Sequence, residues 1–128
     1  MKHYVGLGLA MLAGVALGAA AVDRLHAQAK PLVYTVNEIT VTDEAGFVKD
    51  YLPLVRASIK KAGGKALVGS YKVVAIEGDA PKRVAIQSWT SMEQVHAWRN
   101  GADYKNARKI GDKYASSFRG YAVEGLPQ

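Results

Sequence analysis

An unbroken run of 18 apolar or glycine residues, Val5–Val22, limits how much of this 128-residue chain can enter a folded domain. Lys2 precedes the run, and Ala27-Gln28-Ala29 follows it with small residues in the pattern of a cleavage site. This order is typical of a secretory signal peptide and predicts cleavage after Ala29. An uncleaved anchor is the alternative, because 18 apolar residues just reach the length that spans hydrocarbon.

The remaining residues, 30–128, are enough for one domain, which we expect to be periplasmic or secreted. They carry 15 Lys and Arg against 10 Asp and Glu. A domain of this size buries only about two thirds of its unfolded surface, so its own core is modest. The chain has no Cys, which excludes disulfides, thiolate metal sites and Cys nucleophiles. Because disulfides cannot reinforce the domain, we expect a homodimer.

Strand and helix patterns alternate along residues 30–128. Asp43 is the predicted N-cap of a first helix, in which Pro53 marks a kink or break and which ends at Gly63-Gly64. Thr90 is the predicted N-cap of a second helix. The predicted strands are Leu32–Val41, Lys65–Ile76, Arg83–Trp89 and Phe118–Glu124. The order β-α-β-β-α-β predicts a ferredoxin-like α+β fold with an antiparallel sheet.

The first predicted strand is apolar on both faces. Val33 and Ile39 lie on one face, and Tyr34 and Val36 lie on the other. A strand with apolar residues on both faces is usually covered on both sides.

Few residues of the domain are suited to catalysis or metal binding. His96 is the only histidine after residue 29, and no cluster of acidic residues accompanies it, so we predict neither a metal site nor a cofactor. We interpret His96 as a residue of the polar face of its helix. The alternative is that it lines a pocket or acts as a general acid or base. No serine lies in a nucleophile elbow, and no motif for nucleic-acid binding is present.

The second helical region carries an arginine on its inward side. Arg108 lies beside Tyr104 on that side, where it either binds an anion or extends its head group to the surface. A buried guanidinium needs an acceptor, which is a ligand carboxylate or one of the strand residues Glu38 and Glu124. The aromatic residues of the domain fit a core and dimer interface, or else a ligand cavity.

Five segments keep the order and spacing of a known family: Tyr34–Asp43, Tyr51–Gly64, Ile76–Asp79, Ser91–Glu93 followed by Trp98 and Tyr104, and Ala122–Gly125. Through them, residues 30–125 resemble the domain of unknown function 1330 family, whose members are small ferredoxin-like domains of the dimeric α/β-barrel superfamily. Arg99-Asn100-Gly101 departs from the family pattern, which typically has a tyrosine and a small residue there.

The resemblance implies a homodimer in which two sheets face each other, but it implies no particular reaction. The superfamily includes cofactor-independent monooxygenases and haem-degrading monooxygenases. Asn37 and Trp98 occupy places comparable to two residues of the haem-degrading enzymes, but Arg108 stands where their axial histidine is expected. An arginine cannot serve as an axial haem ligand, so the resemblance disfavours haem degradation.

Two hypotheses follow from the sequence. The first is an exported homodimer that binds a small organic or anionic ligand or serves a structural role, without nucleic acid and without a membrane span after cleavage. The second is a cofactor-independent monooxygenase or isomerase-like enzyme. Both place the ligand against the same four residues: Asn37, Trp98, Tyr104 and Arg108.

Overall fold

The computed structural model describes residues 30–127, and Pro31–Leu126 form one compact unit. The predicted signal peptide, residues 1–29, lies outside the described residues. The elements run in the order β1 (Val33–Val41), α1 (Glu44–Gly46), a π-helical segment (Phe47–Tyr51), α2 (Leu52–Lys61), β2 (Lys65–Ser70), β3 (Arg83–Trp89), α3 (Met92–Asn100), α4 (Ala102–Gly111) and β4 (Ala115–Glu124).

The four strands form one antiparallel sheet in the order β2-β3-β1-β4. This is the predicted ferredoxin-like α+β arrangement, in which the central strands β1 and β3 are not consecutive along the chain. Directly paired residues share a face, so the register assigns each side chain to a side of the sheet. Val36, for example, lies opposite Ile86 on β3 and Tyr121 on β4.

The first helical region starts and breaks where the sequence predicts. The Asp43 carboxylate accepts a hydrogen bond from the Gly46 amide at 3.0 Å, as expected of an N-cap. Pro53 lies in the first turn of α2 and has no N–H for a bond back into the preceding turn. The π-helical segment directly precedes it, and the region ends at Gly63, whose φ of 89° favours glycine.

Strand β2 is shorter than predicted. We predicted a strand as far as Ile76, but β2 ends at Ser70, and Val74 and Ile76 are exposed. The reason is the length of its neighbour: β2 pairs only with β3, and Ser70 already lies opposite Val84, the second residue of β3. The residues beyond Ser70 have no strand to pair with.

The second helical region is capped one residue later than predicted. Ser91, not Thr90, is the N-cap, and its hydroxyl accepts from the Gln94 amide at 3.1 Å. The Gln94 side chain accepts from the Thr90 amide at 2.8 Å, so it reaches back to the residue before the cap, and the reciprocal pair predicted for threonine and glutamate does not form. The chain then breaks at Gly101 between α3 and α4.

The core lies between the helices and one face of the sheet. Its buried apolar side chains are Val33, Ile39, Phe47, Tyr51, Leu52, Val55, Ile59, Trp89, Val95, Trp98, Tyr104 and Ala107. Within residues 30–127, no helix has both the length and the apolar character needed to cross a bilayer.

Candidate functional site

A small cavity lies between the helices and the sheet, and all four predicted site residues line it. Asn37 reaches it from β1, Trp98 from α3, and Tyr104 and Arg108 from α4. Its volume is about 60 Å³. Since a water molecule takes up about 30 Å³ of liquid volume, this space admits one small chemical group and not a whole organic ligand.

A wider cleft of about 560 Å³ shares Asn37, Arg99, Tyr104 and Arg108 with the cavity. Its size falls within the range of about 300–1,000 Å³ that is typical of sites for small organic molecules. His96 contributes to its wall and is exposed, so the structure places it both on the polar face and at the cleft. The cleft can hold a ligand of which only one small group enters the inner cavity.

A chain of hydrogen bonds on the covered face of the sheet holds Asn37 in place. Trp89 Nε1 donates to Thr35 Oγ1 at 2.9 Å, and Thr35 Oγ1 donates to Gln87 Oε1 at 2.6 Å. The Asn37 amide nitrogen donates to the same Gln87 oxygen at 3.0 Å. Because both neighbours fix Gln87, the amide of Asn37 has a defined orientation, with its nitrogen toward β3.

The strand beside Asn37 leaves room for its amide oxygen. Gly120 on β4 is the direct partner of Asn37 in the register. A Cβ atom at Gly120 would lie 2.8 Å from Asn37 Oδ1, closer than such atoms approach without displacement. Because Gly120 has no side chain, the Asn37 Oδ1 atom can occupy its observed position beside the cavity.

Trp98 forms a rigid wall of the cavity. Its indole N–H donates to the Ser58 hydroxyl at 3.0 Å, and Ser58 donates to the Val55 carbonyl at 2.7 Å. Its ring packs against Trp89 and Tyr104, with centroid distances of 4.8 and 4.7 Å. A side chain fixed by both a hydrogen bond and two aromatic neighbours offers a ligand a surface that needs no rearrangement.

Arg108 is held by its own helix and not by the sheet. Its Nε donates to Asp112 Oδ1 at 2.8 Å, and its Nη1 donates to the Tyr104 hydroxyl at 3.3 Å. The prediction that Glu38 or Glu124 would be the internal acceptor was wrong, because the carboxylate one helical turn later is nearer. Glu38 pairs with Arg119 instead, at 3.5 Å.

The guanidinium of Arg108 remains partly accessible, with 30% of its side chain exposed, and it lies 3.8 Å from the centre of the Phe118 ring. Burial opposes its charge, but the hydrogen bonds that it donates to Asp112 and Tyr104 outweigh burial and raise its pKa above the ordinary value. The cavity therefore carries a permanent positive charge.

Arg99 is a site residue that sequence reasoning missed. We treated it only as a departure from the family pattern, yet its Cζ lies 4.4 Å from the Tyr104 ring centre and lines both the cavity and the cleft. Of the described residues that line these two spaces, none is acidic.

Gln87 is a second residue that sequence reasoning missed. Nothing in the sequence indicates that it orients Asn37.

Metal binding finds no support in the described part of the chain. Within residues 30–127, no group of three or more histidine or acidic side chains is placed to hold a metal ion. The chemistry available at the site is that of guanidinium groups, carboxamides, tyrosine hydroxyls and aromatic walls, and of its three arginines Arg119 is paired with Glu38.

The sequence model of the domain of unknown function 1330 family matches residues 32–126. The chain belongs to this family. Among curated proteins, none matches the sequence of this family member.

Several solved structures share the fold of this family member. RPA0582, a protein of unknown function from Rhodopseudomonas palustris, is 14% identical with a TM-score of 0.57, over 84% of this chain and 92% of its own. SnoaB, a cofactor-independent oxygenase from Streptomyces nogalater, is 11% identical with a TM-score of 0.56, over 77% of this chain and 96% of its own. At these identities the likeness extends to the fold alone.

Proposed function

We propose that this protein is an exported homodimer that binds a small anionic organic ligand between β1, β4 and the helices α3 and α4. The observation that carries the proposal is the pair Arg99 and Arg108, which face one space whose described lining contains no acidic residue. A carboxylate is the natural complement of such a pair, because a guanidinium donates two parallel hydrogen bonds to it.

The residues that line the cavity indicate the chemical nature of the rest of the ligand. Trp98 and Tyr104 present aromatic surface beside the two arginines, which suits an aromatic or otherwise planar body. The oxygen of Asn37 is an acceptor, since its amide nitrogen is already used toward Gln87. We therefore expect an aromatic carboxylate, with affinity increased by a hydroxyl or N–H group that reaches Asn37.

A titration followed by NMR tests this site, with phenylacetate as the probe and 2-phenylethanol as its uncharged counterpart. We expect phenylacetate to shift the amide signals of residues 95–100 in a saturable way and 2-phenylethanol to bind at least about tenfold more weakly, a difference of about 1.4 kcal/mol. Arg108→Leu should abolish the effect of phenylacetate. Lys109→Leu removes the same charge from an exposed position of α4 and is the matched control.

Two results would contradict the site. One is phenylacetate binding that survives Arg108→Leu unchanged, and the other is equal binding of the acid and the alcohol.

The homodimer is proposed from the uncovered face of the sheet. Tyr121 and Val123 of β4 are 52% and 49% exposed, and their register partners on this face include Val36 and Tyr34. Ile86 of β3 continues the apolar surface beside Val36. Apolar surface of this continuity is typical of an interaction site, and a second copy of the same face would cover it symmetrically.

Export is proposed from residues 1–29 alone. We expect the protein recovered from cells to begin at or near Lys30 and to be found in the periplasm or outside the cell. Intact-mass measurement after cell fractionation tests this expectation. A mass that retains residues 1–29, found in the membrane fraction, would favour the uncleaved anchor.

A cofactor-independent oxygenase is the second candidate function. The observation in its favour is the enclosed cavity reached by Asn37, Trp98 and Arg108, since a fully packed interior would leave no place for a reacting group. Oxygen uptake with an easily oxidised polyphenol, compared between the protein and Arg108→Leu, tests it. Uptake that does not exceed autoxidation would leave ligand binding as the function.

A further inference from the structure

Arg83 is a buried cation that the site described above does not use. It is the first residue of β3, and its side chain points to the covered face of the sheet, where only 4% of the residue is exposed. The guanidinium lies over the rings of Tyr71 and Phe47, at 4.7 and 5.5 Å from the ring centres. The two rings attract the charge, and of the two only Tyr71 carries a group that can accept a hydrogen bond, its hydroxyl.

Within the part of the chain that the structure describes, the charge of Arg83 has no carboxylate partner. Among residues 30–127, the ion pairs join Lys61 to Asp103, Arg108 to Asp112 and Arg119 to Glu38, and none includes Arg83. Its Nε is buried and is without any hydrogen-bond partner in the described part of the chain. A buried charge that is left unpaired destabilises a fold, so an acceptor from outside the domain would be bound favourably.

A groove of about 180 Å³ opens beside Arg83, between α2 and the edge strand β2. Leu52 and Val55 of α2 and Leu67 of β2 form apolar walls, and Arg56 adds a second positive charge. None of the described residues that line the groove is acidic. The β-bulge between Ala66 and Val68 takes Leu67 out of the regular pairing, and Leu67 is 53% exposed at this edge.

We propose that this groove is a second ligand site, which binds a small carboxylate with a short apolar chain. The carboxylate would accept hydrogen bonds from the guanidinium of Arg83, and the chain would lie along Leu52, Val55 and Leu67. The volume is below the range of about 300–1,000 Å³ that drug-sized ligands need, so a ligand of a few carbon atoms fits best.

The groove adjoins the first cavity but presents different charges. Val55 and Gln87 line both spaces, whereas Arg83 and Arg56 line only the groove and Arg99 and Arg108 line only the cavity and cleft. Substitution of one arginine at a time therefore separates the two sites.

The test is an NMR titration of the protein with hexanoate at millimolar concentration, with 1-hexanol as the uncharged control. We expect hexanoate to shift the amide signals of residues 66–69 saturably and 1-hexanol to leave them unaffected. Arg83→Met should weaken this binding at least about tenfold, because it removes the donors and the charge while keeping an apolar side chain. Arg108→Leu should leave hexanoate binding at residues 66–69 unchanged, even where it abolishes phenylacetate binding.

A second variant keeps the test decisive if Arg83→Met does not fold. Leu67→Asp places a carboxylate at the exposed mouth of the groove, where it competes for Arg83, and it should also weaken hexanoate binding at least about tenfold. Leu54→Asp is the matched control, because Leu54 is 47% exposed and lies outside the groove. The proposal is overturned if residues 66–69 show no saturable response, if 1-hexanol binds as well as hexanoate, or if hexanoate binds Leu67→Asp and Leu54→Asp equally.

Discussion

The two faces of the sheet differ in how their side chains are covered. On the face beneath the helices, apolar residues such as Trp89 are buried, and so are the hydrogen-bonded polar residues Thr35 and Gln87. On the open face, the register neighbours Val36, Ile86 and Tyr121 are apolar, and Tyr121 is 52% exposed. Polar groups are thus buried within the core on one face, and apolar groups are left in contact with water on the other.

This contrast indicates what each face does. Buried polar groups cost free energy unless every hydrogen bond is made, so the network on the covered face is maintained for a purpose other than packing. The network positions Asn37 at the cavity. Exposed apolar surface is typical of an interaction site. The proposed function therefore assigns a ligand site to one face of the sheet and a self-association surface to the other.

Trp98→Ala should produce the largest loss of stability, because Trp98 joins the cavity wall to the core. We expect the free energy of unfolding to fall by about 3–5 kcal/mol through the lost packing against Trp89 and Tyr104. Chemical denaturation measures the loss. Trp98→Phe keeps an aromatic ring but leaves Ser58 without its donor, and it should be less destabilising than the alanine variant. Equal losses for the two variants would argue that the ring is not packed as described.

Val36→Asp tests the open face. A charge at the centre of that surface should weaken self-association at least about a hundredfold, which is about 2.7 kcal/mol, because the carboxylate would be buried without a partner. Sedimentation at micromolar concentration should show the wild-type protein at twice the monomer mass and the variant as a monomer. Leu54→Asp, at an exposed position on α2, should stay dimeric. A wild-type monomer would refute the assembly.

Two threonines of one strand allow the faces to be compared directly. Thr35→Val should lower the free energy of unfolding by about 1–3 kcal/mol, because it leaves the Trp89 N–H without an acceptor and removes one of the two hydrogen bonds to Gln87 Oε1. Thr40→Val, on the open face of the same strand, should change it by less than about 0.5 kcal/mol. Urea denaturation of both variants gives the difference. Similar values would remove the distinction between the faces.

The smallest expected effect is a dependence of stability on alkaline pH through Tyr51. Burial raises the pKa of the Tyr51 hydroxyl above its ordinary value. Above about pH 10 the unfolded chain releases this proton and the folded chain retains it, so stability falls as the pH rises, by at most about 1.4 kcal/mol per pH unit. Tyr51→Phe should remove this part of the decline in denaturation measured on either side of pH 10. An unchanged decline would show that other groups cause it.

The sequence was sufficient for the fold because its signals are local. Asp43, Pro53 and Gly63-Gly64 act within one or two turns of the chain, and each has the predicted role. The length of β2 was not predictable in this way, because it depends on where β3 begins. The N-cap is Ser91, one residue after the predicted Thr90. Both side chains carry a hydroxyl that can accept from a helix amide, so the residue type does not distinguish them, and the N-cap is the residue after which the backbone becomes helical.

The site was predictable where a resemblance or a helix position indicated it. The resemblance to the superfamily indicated Asn37 and Trp98, and the inward position beside Tyr104 indicated Arg108. The predicted acceptor for Arg108 was wrong, because the prediction considered only carboxylates of the sheet. The observed acceptor is Asp112, four residues later at the end of the same helix. Gln87 could not be identified, because its role exists only through register contacts with Thr35 and Asn37 across two strands.

Phenylacetate binding by Val36→Asp tests the central claim, the separation of the two faces, most directly. The account predicts that this variant sediments as a monomer and still binds phenylacetate with the affinity of the wild-type protein, as measured by the amide signals of residues 95–100, because all proposed ligand contacts lie on the covered face. Loss of ligand binding together with the dimer, in a variant that remains folded, would contradict the account.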